Sequence, residues 1–173
     1  LYAHSCFETI GCEAMTVSPY MGTDVFSEIS KDYSDNFFIV LALTSNSGSN
    51  DFQLLKIGDK YLYEIVLDKF GKIENSKNQI MFVVGATNDI QKLKRIRKII
   101  PENFLLIPGV GHQGGSLSDV CSELLNENCG IIVSSSRSII YCSNSSDFDL
   151  QAGEVAKNIQ KEMESILISR NII

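Results

Sequence analysis

Five short β-prone runs, each released into a loop rich in Gly, Ser, Thr or Pro, constrain this chain more than any other feature. They are residues 14–17 (Ala-Met-Thr-Val), 37–43 (Phe-Phe-Ile-Val-Leu-Ala-Leu), 80–84 (Ile-Met-Phe-Val-Val), 104–107 (Phe-Leu-Leu-Ile) and 130–133 (Gly-Ile-Ile-Val). Seven apolar residues without a polar interruption do not fit a strand wetted on one side, so residues 37–43 read as a strand buried on both faces. Helix-spaced sequence follows every run, and strands alternating with helices imply a parallel sheet. Proteins of that class keep their ligand contacts in the loops at the C-terminal ends of the strands.

The intervening segments predict the helices. Leu1, Phe7 and Ile10 fit the back half of an amphipathic helix ended by Gly11, so the chain reads as though it begins mid-element. Thr23 or Asp24 is placed to cap a helix carrying Val25, Phe26 and Ile29 on one face. Leu62, Ile65, Val66 and Phe70 give residues 61–70 a helical period. Asp89 is placed to cap a helix over 90–99, with Leu93, Ile96 and Ile100 inward and Lys92, Lys94, Arg95, Arg97 and Lys98 on a solvated face. Two more helices are expected at 117–126 and within 147–168. No linker divides the chain, which predicts one domain over residues 1–173.

Two successive loops carry phosphate chemistry. The strand at 104–107 opens into Pro-Gly-Val-Gly-His-Gln-Gly-Gly, where four glycines let backbone N–H groups approach an anion and Gln113 adds an uncharged amide donor. The strand at 130–133 opens into Ser-Ser-Ser-Arg-Ser and delivers Arg137, whose guanidinium suits two phosphate oxygens. In (β/α)8 barrels the loops after the last two strands commonly form a phosphate site. These are the last two strands here, but 173 residues fall about three βα units short of the roughly 250 that such a barrel needs.

Composition removes several function classes. A net charge of −6, from 15 Lys and Arg against 21 Asp and Glu, supplies no basic face for nucleic-acid backbone. The cysteines Cys6, Cys12, Cys121, Cys129 and Cys142 are odd in number and form no CxxC pair, which fits reduced thiols in a cytoplasmic core and no metal site. No run approaches 18 apolar residues, so no membrane span is expected.

Several motifs together carry a resemblance. Residues 16–22 (Thr-Val-Ser-Pro-Tyr-Met-Gly), 41–46 (Leu-Ala-Leu-Thr-Ser-Asn) with Gly48-Ser49 and Asp51-Phe52-Gln53, 83–87 (Val-Val-Gly-Ala-Thr), the 108–115 loop, and Ser135-Ser136-Arg137 leading to Ile139-Ile140-Tyr141 follow one another in unbroken order. The chain resembles orotidine 5′-phosphate decarboxylase over essentially its whole length, and most closely the longer bacterial subfamily. The resemblance implies a partial (β/α)8 TIM barrel, its fourth to eighth βα units, and decarboxylation of orotidine 5′-phosphate to uridine 5′-phosphate without metal or organic cofactor. It assigns phosphate binding to Gln113, Gly114, Gly115 and Arg137, and a hydrogen bond to the pyrimidine edge to Ser45. It further implies a cytoplasmic enzyme, a homodimer when full length, with no nucleic-acid or membrane partner.

The same resemblance predicts what this chain does not supply. The family's Asp-x-Lys-x-x-Asp run, which provides the proton-donating Lys and two carboxylates, occurs nowhere in the 173 residues, so no catalytic residue is assigned here. Lys31-Asp32 and Asp68-Lys69 have the wrong spacing. Ser47 stands where a Pro is usual, which should loosen the loop carrying Ser45, and Ser134 and Ser138 replace an expected Asn and Gly. His112 stands beside Gln113, either as a proton-dependent phosphate contact or as an exposed residue without a role. Two other readings remain at this stage. Another sugar-phosphate barrel enzyme would use acidic or metal-binding residues at strand ends, and the five strand ends offer none. A noncatalytic fragment retaining the phosphate loops would suit the missing Lys and Asp residues, and left alone its unpaired strands would drive aggregation, dimerisation or a molten state.

Overall fold

The computed structural model describes residues 1–111 and 115–173, apart from the side chain of Val25. Five strands form one wholly parallel sheet in the order of the sequence: β1 (Ala14–Val17), β2 (Phe37–Leu43), β3 (Ile80–Val84), β4 (Leu105–Pro108) and β5 (Ile131–Ser134). The first three strands have the bounds expected from their apolar runs. The last two begin and end one residue later, with the Phe104 and Gly130 carbonyls accepting the Phe82 and Leu105 N–H groups at the entry of each strand.

Helices fill the connections. Apart from single turns at Ser49–Phe52, Ser76–Gln79 and Arg137–Ile140, they are α1 (Tyr2–His4, running on through a wider π-turn over Ser5–Ile10), α2 (Asp24–Asp32), α3 (Leu62–Gly71), α4 (Ile90–Ile99), α5 (Leu117–Leu124) and α6 (Phe148–Ser169). Each strand lies beside its predecessor, and right-handed crossovers between neighbours always lay the helix on the same face. This winding never reverses, as a doubly wound sheet would require, so the architecture is a section of a (β/α)8 barrel. Among the described residues, β1 and β5 each pair on one side only.

The two sheet faces differ accordingly. Toward the helices, Phe38, Val40, Ala42, Phe82, Val84, Leu105 and Ile107 are almost wholly buried. On the opposite face Met81 and Val83 are buried, Ile39, Leu41 and Leu106 are half-buried, and Phe37 and Ile132 remain 42% and 48% exposed, so β2 is not buried on both faces as its apolar run implies. Phe38 anchors two helices to β2, meeting Phe7 of α1 edge-on at 5.4 Å and Phe26 of α2 at 4.7 Å, and Phe26 in turn meets Phe70 of α3 at 5.8 Å.

Three expectations about faces need correction. In α1 it is Ala3 and Phe7 that are buried, whereas Leu1 and Ile10 are exposed; the wider π-turn displaces Ile10 from the stripe before Gly11, at φ 77°, ends the helix. In α3 the inward residues are Tyr63, Glu64, Leu67 and Phe70, while Leu62, Ile65 and Val66 lie at the margin. The Glu64 carboxylate turns back to accept the Tyr61 N–H at 2.7 Å, a capping contact that fixes which side of the first turn faces the core. In α4 Leu93, Ile96 and Ile100 are buried as expected, but Arg97 does not face water. Its guanidinium donates to the carbonyls of Leu124 (2.6 and 2.9 Å), Asn103 (2.8 Å), Gly130 (3.0 Å) and Ile100 (3.0 Å). One side chain thereby ties the end of α4 to the end of α5 and to the entries of β4 and β5, and burial lowers its pKa to about 10.

A two-residue turn at Gly58-Asp59 joins the short antiparallel strands Lys56–Ile57 and Lys60–Tyr61, which the apolar periodicity did not disclose. Gly58, at φ 63°, supplies the left-handed residue such a turn demands. No described helix is long and apolar enough to cross a membrane.

Candidate ligand site

The C-terminal ends of β2, β4 and β5 converge on a cavity of about 200 Å³. Its walls are Ser45 from the loop after β2, Pro108 at the end of β4 with Gly109 and Val110 after it, and Ser134 at the end of β5 with Ser135, Ser136, Arg137 and Ser138 after it. Ser45 and Arg137 are separated by 92 positions in sequence, yet the parallel winding delivers both to one rim.

Ser45 owes its place to an irregularity in β2. Leu41 pairs with Val83 and Leu43 with Val84, so two residues of β2 advance against one of β3 and Ala42 is left unopposed. A bulge of this kind re-aims the chain that follows it. The preceding Thr44 is held by Gln53, whose Oε1 accepts the Thr44 N–H at 2.8 Å and whose Nε2 donates to the Thr44 hydroxyl at 2.9 Å. The Ser47 carbonyl accepts the Asn50 side chain at 3.0 Å and the Asn50 N–H at 3.2 Å, bonds made by the main chain and so open to Pro as well as Ser at this position. Ser45 itself is half-buried and contributes a neutral donor and acceptor to the rim.

Arg137 opens the helical turn Arg137–Ile140 directly after β5 and is exposed. Among the described residues it joins no salt bridge, which leaves its planar donors available to an anion. The serines around it brace the neighbouring loop: Ser135 Oγ donates to the Val110 carbonyl at 3.1 Å and shares a short hydrogen bond with Ser138 Oγ. Ser138 lies against Gly111, where an added Cβ would stand 3.2 Å from its hydroxyl. Here the substituted serine has a packing role that the resemblance did not predict.

Of the four expected phosphate residues, Arg137 and Gly115 are described, while Gln113 and Gly114, with His112, lie outside the described residues. Gly115 pairs with Val110 in an isolated parallel bridge, and the Gly111 N–H donates to its carbonyl at 3.0 Å. Both stems of the 108–115 loop are thereby joined above β4. Among the described residues no three His, Cys, Asp or Glu side chains gather as a metal-binding group. The cavity's lining is, among the described residues, hydroxyl-rich with one cation, Arg137, which suits an anionic head group beside a neutral polar moiety.

Tyr20 and Met21, in the loop after β1, are exposed and do not line this cavity. The feature that sequence reasoning missed is the pair Gly85-Ala86, which packs beneath Ser45 and Gly115. Its signal was present as Val-Val-Gly-Ala-Thr, but a glycine kept small for a neighbour looks like any other in sequence.

Comparison with known proteins follows the same order of elements. No family model matches the chain. The orotidine 5′-phosphate decarboxylase of Christiangramia forsetii is 50% identical over 167 residues, covering 96% of this chain and 60% of the relative. The decarboxylase of Porphyromonas gingivalis is 45% identical over 174 residues, covering all of this chain and 62% of the relative. The chain thus spans about three-fifths of the length of the curated relatives it matches. Among solved structures, UMP synthase of Leishmania donovani superposes with a TM-score of 0.77 at 38% identity, over 92% of this chain and 35% of that one. The OMP decarboxylase of the same organism gives 0.75 at 35% identity, over 92% and 60%.

Proposed function

The chain belongs to the orotidine 5′-phosphate decarboxylase family, and from that premise we propose that it forms the nucleotide-gripping part of a carboxy-lyase converting orotidine 5′-phosphate to uridine 5′-phosphate in pyrimidine biosynthesis. The observation that carries the reading is the single cavity shared by Ser45 and Arg137 at the strand ends. In this reading Arg137 and the backbone around Gly114 and Gly115 hold the phosphate, Gln113 adds its amide, and Ser45 bonds the pyrimidine edge. The residues act as one domain over 1–173, in a cytoplasmic protein that is a homodimer when full length.

The division of labour follows from the chemistry. Decarboxylation at C6 leaves a carbanion with no covalent electron sink, so a large part of the rate must come from interactions realised in the transition state and from binding of remote groups. A guanidinium on the phosphate fixes the nucleotide while the base is held at its edge, which converts remote binding energy into orientation at the reacting carbon. Protonation of that carbon needs a donor, and no residue of this chain is assigned to it.

A hybrid tests the reading. Residues 1–173 completed with the roughly two-fifths of the Christiangramia forsetii relative that the chain does not span should consume orotidine 5′-phosphate, while residues 1–173 alone should not exceed the uncatalysed background. A folded hybrid without turnover would count against the proposal, as would turnover by the chain alone.

A further inference from the structure

Gly85 and Ala86, just past β3, touch the loops on both sides of them. A Cβ on Gly85 would stand 2.7 Å from the Ser45 backbone N, 2.7 Å from its Cβ and 2.9 Å from its Cα. Gly85 is not among the residues with positive φ, so it is glycine for space and not for backbone freedom. Neither partner is free to retreat. The Gly85 N–H donates to Leu43 O at 2.7 Å, its carbonyl accepts Asn88 Nδ2 at 2.8 Å, and the Ala86 N–H donates to Pro108 O at 2.9 Å. On the other side Ser45 is tethered through Thr44, whose N–H is held by Gln53 at 2.8 Å.

Ala86 faces the opposite loop. A Cβ on Gly115 would stand 2.5 Å from the Ala86 methyl and 3.1 Å from its carbonyl carbon, so that methyl already fills the space beside Gly115. Ala86 is buried, and its methyl has the one size that meets Gly115 without displacing it.

We propose that Gly85-Ala86 is a two-residue spacer that sets the distance between the Ser45 loop and the Gly115 loop, a positioning pair for the two ends of one nucleotide; this rests on the functional reading above. The bare α-carbon of Gly85 seats Ser45, and the methyl of Ala86 seats Gly115. A side chain at position 85 drives the Ser45 backbone outward and leaves the Arg137 side of the cavity in place. Removing the methyl at 86 unseats the Gly115 loop. The two ends are therefore adjustable separately, which a merely structural glycine would not permit.

The test is calorimetric titration of residues 1–173 with uridine 5′-phosphate and, separately, with inorganic phosphate. Gly85→Ala should weaken the nucleotide by about ten-fold, the scale of one lost hydrogen bond at the base edge, and leave inorganic phosphate within about two-fold. Ala86→Gly, which adds no volume and so keeps the fold, should weaken both probes together by several-fold. Unaltered affinities in both variants would overturn the proposal, and so would a loss in Gly85→Ala that is the same for both probes. Should Gly85→Ala fail to fold, Ala86→Gly decides alone, and normal binding by it sinks the spacer. If the unaltered chain binds neither probe, the functional reading itself has failed and takes the inference with it.

Discussion

Single side chains in this molecule separate into those that serve the fold and those that serve the cavity. Ser45 belongs to the second group: its hydroxyl has no partner among the described hydrogen bonds, so Ser45→Ala should alter thermal stability by no more than about 0.5 kcal/mol while measurably weakening uridine 5′-phosphate. A large drop in melting temperature with unchanged affinity would make the hydroxyl structural. Tyr63 belongs to the first group and carries a defect. It is wholly buried, and among the described residues its hydroxyl finds no hydrogen-bond partner. Burial, reinforced by the neighbouring Glu64 charge, lifts its pKa from 10 to about 12. Between pH 10 and 12 the unfolded chain then releases a proton that the folded chain keeps. The associated stability is complete below pH 10 and disappears as pH rises toward 12. Tyr63→Phe should thus be neutral or stabilising by about 1 kcal/mol near pH 7, and should flatten the alkaline fall in melting temperature over that window. A loss of more than about 2 kcal/mol, the scale of leaving a buried polar group unpaired, would reveal a partner for the hydroxyl.

At the scale of elements, what could be read from sequence was whatever a local pattern determines. The strands were legible because a continuous apolar run has few other uses, and the cap of α4 because Asp89 stands directly before the helix, where its side chain accepts the Gln91 N–H at 2.6 Å. The inward face of α3 was not legible, since it depends on Glu64 turning back to Tyr61 and not on the apolar count. Arg97 was illegible for a similar reason: its carbonyl acceptors come from segments between 3 and 33 residues away, and on a helical wheel it is one more basic residue. That Ser45 and Arg137 reach one cavity was legible, because both stand just past strand ends. The Gly85-Ala86 contact was not, because it exists only between neighbouring loops in space. Arg97→Ala should strand several carbonyls and destabilise the chain by about 3 kcal/mol or more. Arg97→Lys should recover only part of that, because an ammonium cannot span the same acceptors. Chemical denaturation of both variants checks this, and a lysine variant equal to the parent would contradict it.

The whole molecule is a curved five-stranded section with a well-buried helix side and a partly uncovered opposite side. Phe37 and Ile132 on the open face, together with β1 and β5 paired on one side each, predict that residues 1–173 retain the helix-side core but self-associate. Light scattering should report assemblies larger than a monomer, and amide exchange should be slow in β2 and β3 but faster in β1. A monomer with equal protection in all five strands would contradict that picture. On the proposed function, Arg137 reads a nucleotide through its phosphate at this cavity. The most direct measurement compares the affinities of uridine 5′-phosphate and uridine for residues 1–173 and for Arg137→Ala. A charge-assisted contact of about 1.5 to 3 kcal/mol predicts that the variant loses roughly 10- to 150-fold toward the phosphorylated ligand and almost nothing toward uridine. An equal fold-loss for both ligands would contradict it.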